Sequence, residues 1–135
     1  EIPGNPKAQG RPRFARMGKF VRAFDPKDSV DFKNKVAMCA HATGYFKGEG
    51  PLRLNLRFYL KRPKNRCRKV DSTDPVIQFK KPDIDNLIKS VMDGCKGILY
   101  TDDSQVQSIT AEKYCHAIGS SPFTQVEISE IDVKA

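Results

Sequence analysis

The 135-residue chain predicts one α+β domain spanning 1–135, a mixed or antiparallel sheet with two main helices. Three observations predict it. Residues 52–60, LRLNLRFYL, alternate apolar and polar, the pattern of a half-buried strand. Two other stretches repeat apolar residues at helical spacing. The elements run β-β-α-β-loop-α-β-β, which places helices on one sheet. At 39% hydrophobic and 30% charged residues, the chain is too apolar for a disordered one. It has no run of about 18 apolar residues that would span a membrane.

The segment 3–13, PGNPKAQGRPR, is too rich in Pro and Gly for regular helix. Two short strand-like runs follow, Arg13–Arg16 and Lys19–Phe24, around Met17-Gly18. They suggest a hairpin carrying Arg11, Arg13, Arg16, Lys19 and Arg22, with Phe14, Phe20 and Phe24 between the charges. Asp25-Pro26 is a helix start, Asp as cap and Pro in the first turn. Phe32, Val36, Cys39, Ala40 and Thr43 then share one helical face up to Gly44. In the strand 52–60 the five apolar side chains face one way; Arg53, Asn55, Arg57 and Tyr59 face the other.

Residues 61–80 read as a long basic loop, with six basic residues in 61–70. Loops of that length are functional or disordered, and phosphate contact and solvated disorder both fit. From Asp83 to Lys96 the period is helical again, with Leu87, Ile88, Val91, Met92 and Cys95 apolar and Gly97 as the stop. Two strands, Gln105–Lys113 and Phe123–Ile131, complete the chain.

Charge is unevenly placed. Residues 1–70 carry 18 basic and 5 acidic residues; residues 71–135 carry 6 basic and 11 acidic. The first half attracts a polyanion, and the second holds acids that repel one unless a cation intervenes, a combination suited to nucleic acid plus metal. Cys39, Cys67, Cys95 and Cys115 lack the close spacing of zinc ligands, and His41 and His116 are isolated. Reduced thiols are expected. The opening Glu1-Ile2-Pro3-Gly4 carries no secretory pattern, so a cytoplasmic protein is expected.

The chemistry concentrates in residues 81–106, KPDIDNLIKSVMDGCKGILYTDDSQV. Asp83 follows Pro82, which holds the chain extended, and can cap the helix. Asp85 lies in the first turn. At such a junction the two acids can converge, and the free amides of the helix N-terminus face the same point, a place for a phosphate. Lys89 is one turn beyond Asp85 and Asp93 one turn beyond Lys89. A helix packed back on the sheet could also bring Asp102-Asp103 beside Asp83 and Asp85. Three carboxylates meeting there would repel one another until a divalent cation joined them. Magnesium takes oxygen ligands, polarises a phosphate and acidifies an attacking water. Taken singly, however, each acid reads more readily as a cap, a surface ion pair or a turn.

These residues resemble the RusA family of Holliday-junction endonucleases of bacteria and their phages. The likeness rests on Lys81-Pro82-Asp83-Ile84-Asp85-Asn86-Leu87-Ile88-Lys89, then Asp93, then Asp102-Asp103-Ser104-Gln105-Val106. Pro3-Gly4 and Gly10-Arg11-Pro12-Arg13-Phe14 resemble the family's opening. The resemblance implies catalytic and metal-holding roles for Asp83, Asp85 and Asp103, an essential Lys89, and Asp102 adjacent as a further metal ligand. It implies a homodimer, magnesium or manganese, and paired nicks across a four-way junction. Lys7, Arg11, Arg13, Arg16, Lys19, Lys61, Arg62, Lys64, Arg66, Arg68, Lys69 and Lys81 would hold the DNA. Gly94-Cys95-Lys96 and the longer 61–80 loop depart from the family pattern. The competing readings are a non-catalytic branched- or single-strand DNA-binding module, a nuclease of forks and flaps, and a structural calcium site.

Overall fold

The computed structural model describes residues 1–9, 13–17, 20–24, 27–67 and 71–133, with the backbone alone of 13–17 and 20–24. Among the described residues are seven strands: β1 (Ile2–Pro3), β2 (Arg13–Met17), β3 (Phe20–Phe24), β4 (Leu52–Leu60), β5 (Val76–Ile77), β6 (Val106–Cys115) and β7 (Phe123–Glu130). The same residues hold two α-helices, α1 (Lys27–Ala42) and α2 (Ile84–Cys95). Five strands form one mixed sheet in the order β1-β7-β4-β6-β5, and β2 pairs with β3 as a separate antiparallel hairpin. The α+β class with two main helices therefore holds. The expected helix start at Asp25-Pro26 lies outside the described residues.

β4 is central because its alternation suits it to be covered on one face. It runs parallel to β6 and antiparallel to β7. Leu52, Leu54, Leu56, Phe58 and Leu60 are buried against Phe32, Val36 and Ala40 of α1 and Leu87, Val91 and Cys95 of α2. Each large apolar side chain removed from water contributes about 1.5–3 kcal/mol, so this layer is the main source of stability. The opposite face carries a row across the sheet. Tyr59 stacks on Tyr114 at 5.6 Å and on Phe123 at 4.5 Å between ring centroids. Ile77 is paired with Tyr114 at the row's end.

The helices touch where Gly94 meets Val36. A Cβ at Gly94 would lie 2.7 Å from the Val36 Cβ, so the absent side chain is what lets α2 approach α1. Lys33 of α1 reaches Asp93 of α2 at 3.6 Å beside it. α2 stops because Gly97 takes φ +80°, a left-handed turn that an L side chain rarely adopts.

Residues 61–67 and 71–80 have internal order that their composition did not announce. They contain a short 3₁₀ turn, Lys64–Arg66, and strand β5. Arg62 is buried at 4% exposure. Its Nε donates to Arg66 O at 2.7 Å, Nη1 to Asp74 O at 3.0 Å and Nη2 to Ser72 O at 2.7 Å. One guanidinium thus gathers both arms of the loop. Arg62→Ala is expected to cost about 2–3 kcal/mol, because three carbonyls lose a charged donor. Arg62→Lys should recover little, since an ammonium cannot match the planar fork. A urea midpoint unchanged in Arg62→Ala would remove this role.

Candidate active site

The C-terminal ends of the parallel strands β4 and β6 lie at the same edge, Leu60 opposite Cys115. The loop containing Lys61, Arg62, Lys64 and Arg66 leaves from there. The start of α2 is held at the same end. Lys113 of β6 donates through Nζ to Lys80 O at 2.9 Å and Pro82 O at 2.8 Å. These two bonds fix the two residues flanking Lys81, which joins Pro82 through a cis peptide bond. The Asn5–Gln9 segment crosses the same region. Asn5 Oδ1 accepts from Lys61 N at 2.9 Å, and Gln9 N donates to Asn86 O at 3.0 Å.

Asp83 is the residue before the first turn of α2, extended at φ −70° and ψ 141°, yet its carboxylate makes no cap hydrogen bond. Asp85 lies in that first turn and is exposed, as Lys89 is one turn later. Among the described residues, no hydrogen bond or ion pair occupies the Asp83, Asp85 or Lys89 side chains. Two carboxylates and an ammonium therefore stand uncommitted beside the free amides of a helix N-terminus.

Asp103 is elsewhere. α2 runs back along β6, so the start of β6 meets the end of the helix rather than its beginning. The Tyr100 hydroxyl donates to Met92 O at 3.1 Å. Burial first, then nearby Cys95, then Asp103 through both its charge and a side-chain hydrogen bond, keep the Tyr100 phenol protonated far above its ordinary range. Burial, with Asp103 adding, pushes the Cys95 thiol up to about 12. Asp103 therefore sits near Tyr100 and Cys95. Cys95 is roughly 15–18 Å along the helix axis from Asp85 and Asp83. The expected meeting of all three acids does not occur within one chain. Among the described residues, no three His, Cys, Asp or Glu side chains gather closely enough to hold a metal ion.

Asp103 nevertheless has an unusual environment. Its Oδ1 is buried with no hydrogen-bond partner. Asp102 contrasts with it: Oδ2 accepts from Ser104 Oγ at 2.6 Å and Ser104 N at 3.2 Å, while Lys96 Nζ lies 3.2 Å from Oδ1. The bonds from Ser104 lead in lowering its pKa to about 2, with Lys96 assisting. Gln105 Oε1 completes the cap, accepting from Thr101 N and Asp102 N. This cap fixes the turn that carries Asp103.

The basic residues divide. Lys7, Lys61, Lys64 and Lys81 are exposed and Arg66 is half-buried, whereas Arg62 is turned inward on its carbonyls. Arg13 and Arg16 are on β2, of which only the backbone is described. Arg11, Lys19, Arg68 and Lys69 lie outside the described residues. Sequence reasoning missed Lys113, the residue that ties β6 to the strap before Asp83. Its alternation along β6 marked it only as one more strand residue. All four cysteines are free.

Comparison with known proteins adds two findings. The family model described as "Endodeoxyribonuclease RusA" matches residues 3–129. The chain is also similar to YqaN of Bacillus subtilis (strain 168), 32% identical over 137 residues, covering 95% of this chain and 92% of that protein.

Proposed function

This chain belongs to the RusA family of endodeoxyribonucleases, and we propose that it resolves four-way DNA junctions by paired symmetric nicks, as a magnesium-dependent homodimer. The observation that carries this reading is the division of acids between the two ends of α2. Asp83 and Asp85 lie unused at one end, and Asp103 offers an unpartnered buried oxygen at the other. A two-fold axis that set α2 of two copies antiparallel would bring each Asp83–Asp85 pair toward the partner subunit's Asp103. The donor set is then all oxygen, which fits magnesium or manganese. Two sites related by a two-fold axis also match two symmetric cuts.

Asp83, Asp85 and the partner subunit's Asp103 would hold the cation, and Asp102 keeps the turn below Asp103 in place. When bound, the cation supplies charge that neutralises the acids and draws electrons from the scissile phosphate. The chain's own groups orient the substrate. The free amides at the start of α2 donate to a phosphate oxygen. Lys89, on the Asp85 face, places its ammonium against the negative charge that develops on phosphorus. Lys61, Lys64, Lys81 and Lys7 hold neighbouring phosphates. The net charge of +8 draws the polyanion in.

The test is cleavage of a labelled synthetic four-way junction beside matched linear duplex, fork and flap, with magnesium and with EDTA. Paired nicks in the junction alone, lost in EDTA, are expected. Equal or better cutting of forks or flaps would shift the substrate, and binding without cutting under any divalent metal would remove the nuclease reading. The electrostatic half has its own expected result. Junction affinity should fall by roughly 10³–10⁵ between about 50 and 200 mM salt if six or more phosphates are contacted. A flat response in a filter-binding titration would detach the basic loop from the DNA backbone.

A further inference from the structure

Between the proposed catalytic acids and strand β5 the chain holds an aromatic ring out in water. Phe79 is 79% exposed and Ile77, two residues before it, 70%. Single exposed apolar residues are ordinary. This one is unusual because the backbone around it is fastened on both sides. Arg66 Nη1 donates to Ile77 O at 3.2 Å. Lys80 N donates to Gln78 Oε1 at 3.0 Å, which bends the chain around Phe79, and Lys113 Nζ holds Lys80 O. The ring therefore stands at a defined place, four residues before Asp83. It forms a wall of a cleft of about 250 Å³ completed by Pro63, Asn65, Arg66, Gln78 and Lys80. The surroundings are cationic, with Arg66 and Lys80 in the cleft and Lys64 and Lys81 adjoining it.

We propose that Phe79 and this cleft form a stacking site for an unstacked nucleobase of the DNA, next to the phosphate to be cut. A base has an apolar face for the ring and carries its own phosphates to the surrounding cations. An apolar protein partner would leave those cations desolvated and unpaired, and a bare phosphate would make no use of the ring. Bases leave the stack most easily at a branch point. The site thus gives a junction an advantage over a duplex that phosphate contacts alone cannot provide. The inference rests on the junction-nuclease reading above and deepens it.

The chain contains no tryptophan, so Phe79→Trp introduces a single indole reporter at the position in question. In EDTA, saturation with a four-way junction should quench its emission, and linear duplex should quench it much less. Phe79→Ala should weaken junction binding roughly 5- to 100-fold, the range for loss of one stacked base, and leave duplex binding unchanged. Its melting temperature should match that of the unsubstituted protein, since the ring is mostly in water. Unquenched emission at saturation, or equal losses for junction and duplex, would overturn the proposal. If the unsubstituted protein cuts junctions while either result holds, the stacking site alone falls. If it neither binds nor cuts junctions, the reading beneath it falls as well.

Discussion

Asp85→Asn is expected to abolish junction cleavage while leaving junction binding unchanged or tighter. The substitution keeps the side chain's size and its place in the first turn of α2, so the helix and its packing survive. It removes one anionic oxygen donor from a cation that accepts few protein carboxylates. Losing an outer-shell partner of a metal ligand already costs 10–100-fold, and loss of a ligand itself should exceed that. The opposite effect on binding follows from charge, since Asp85 repels the phosphate that the helix amides and Lys89 attract. Gel-shift and cleavage assays on one labelled junction read both quantities. Cleavage retained in Asp85→Asn would take Asp85 out of the site.

The second large effect concerns where the site closes. Asp85→Asn and Asp103→Asn should each be inactive alone. Co-expressed with different tags and purified as mixed dimers, they should regain one working site. The intact Asp85 of one subunit then faces the intact Asp103 of the other, while the second site carries both substitutions. Such a dimer should nick one strand of the junction and fail to make the paired cut. A site built within each chain gives the contrary result, because every chain of the mixed dimer then lacks one acid. No nicking by the mixed dimer would end the shared-site arrangement. Asp103→Asn also tests the orphaned oxygen, since an amide there still leaves a buried polar atom to satisfy.

Strand β4 was legible to the residue because its alternation reports a sheet with one covered face. α2 was legible because its apolar positions recur at helical spacing between Pro82 and Gly97. The two-residue strands β1 and β5 carry too few residues for any period, and each exists only because a longer strand is beside it. The proposed chemistry came from the likeness of residues 81–106 to a family pattern, since taken singly each acid reads as a cap, an ion pair or a turn. The geometry of the site was not legible. Whether Asp103 meets Asp83 depends on which end of β6 meets α2, and no local spacing records that direction. Within the basic run, Arg62 looked like its neighbours. Its partners are backbone carbonyls, which have no signature in a sequence, so its burial could only be seen in the fold.

The central position of β4 also dictates an order of events when the chain is made. Both neighbours of β4 come later, β6 from Val106 and β7 from Phe123. At ordinary synthesis rates the last of them follows the end of β4 by roughly 3–13 s. For that interval the strand that supplies five core side chains has emerged with its backbone edges unpaired, a template for pairing with other nascent chains. Helix α1 is available early and can shelter one face of the strand, but no helix satisfies its edges. Arg53 and Arg57, on the outward face, keep like copies apart by charge until the sheet is assembled.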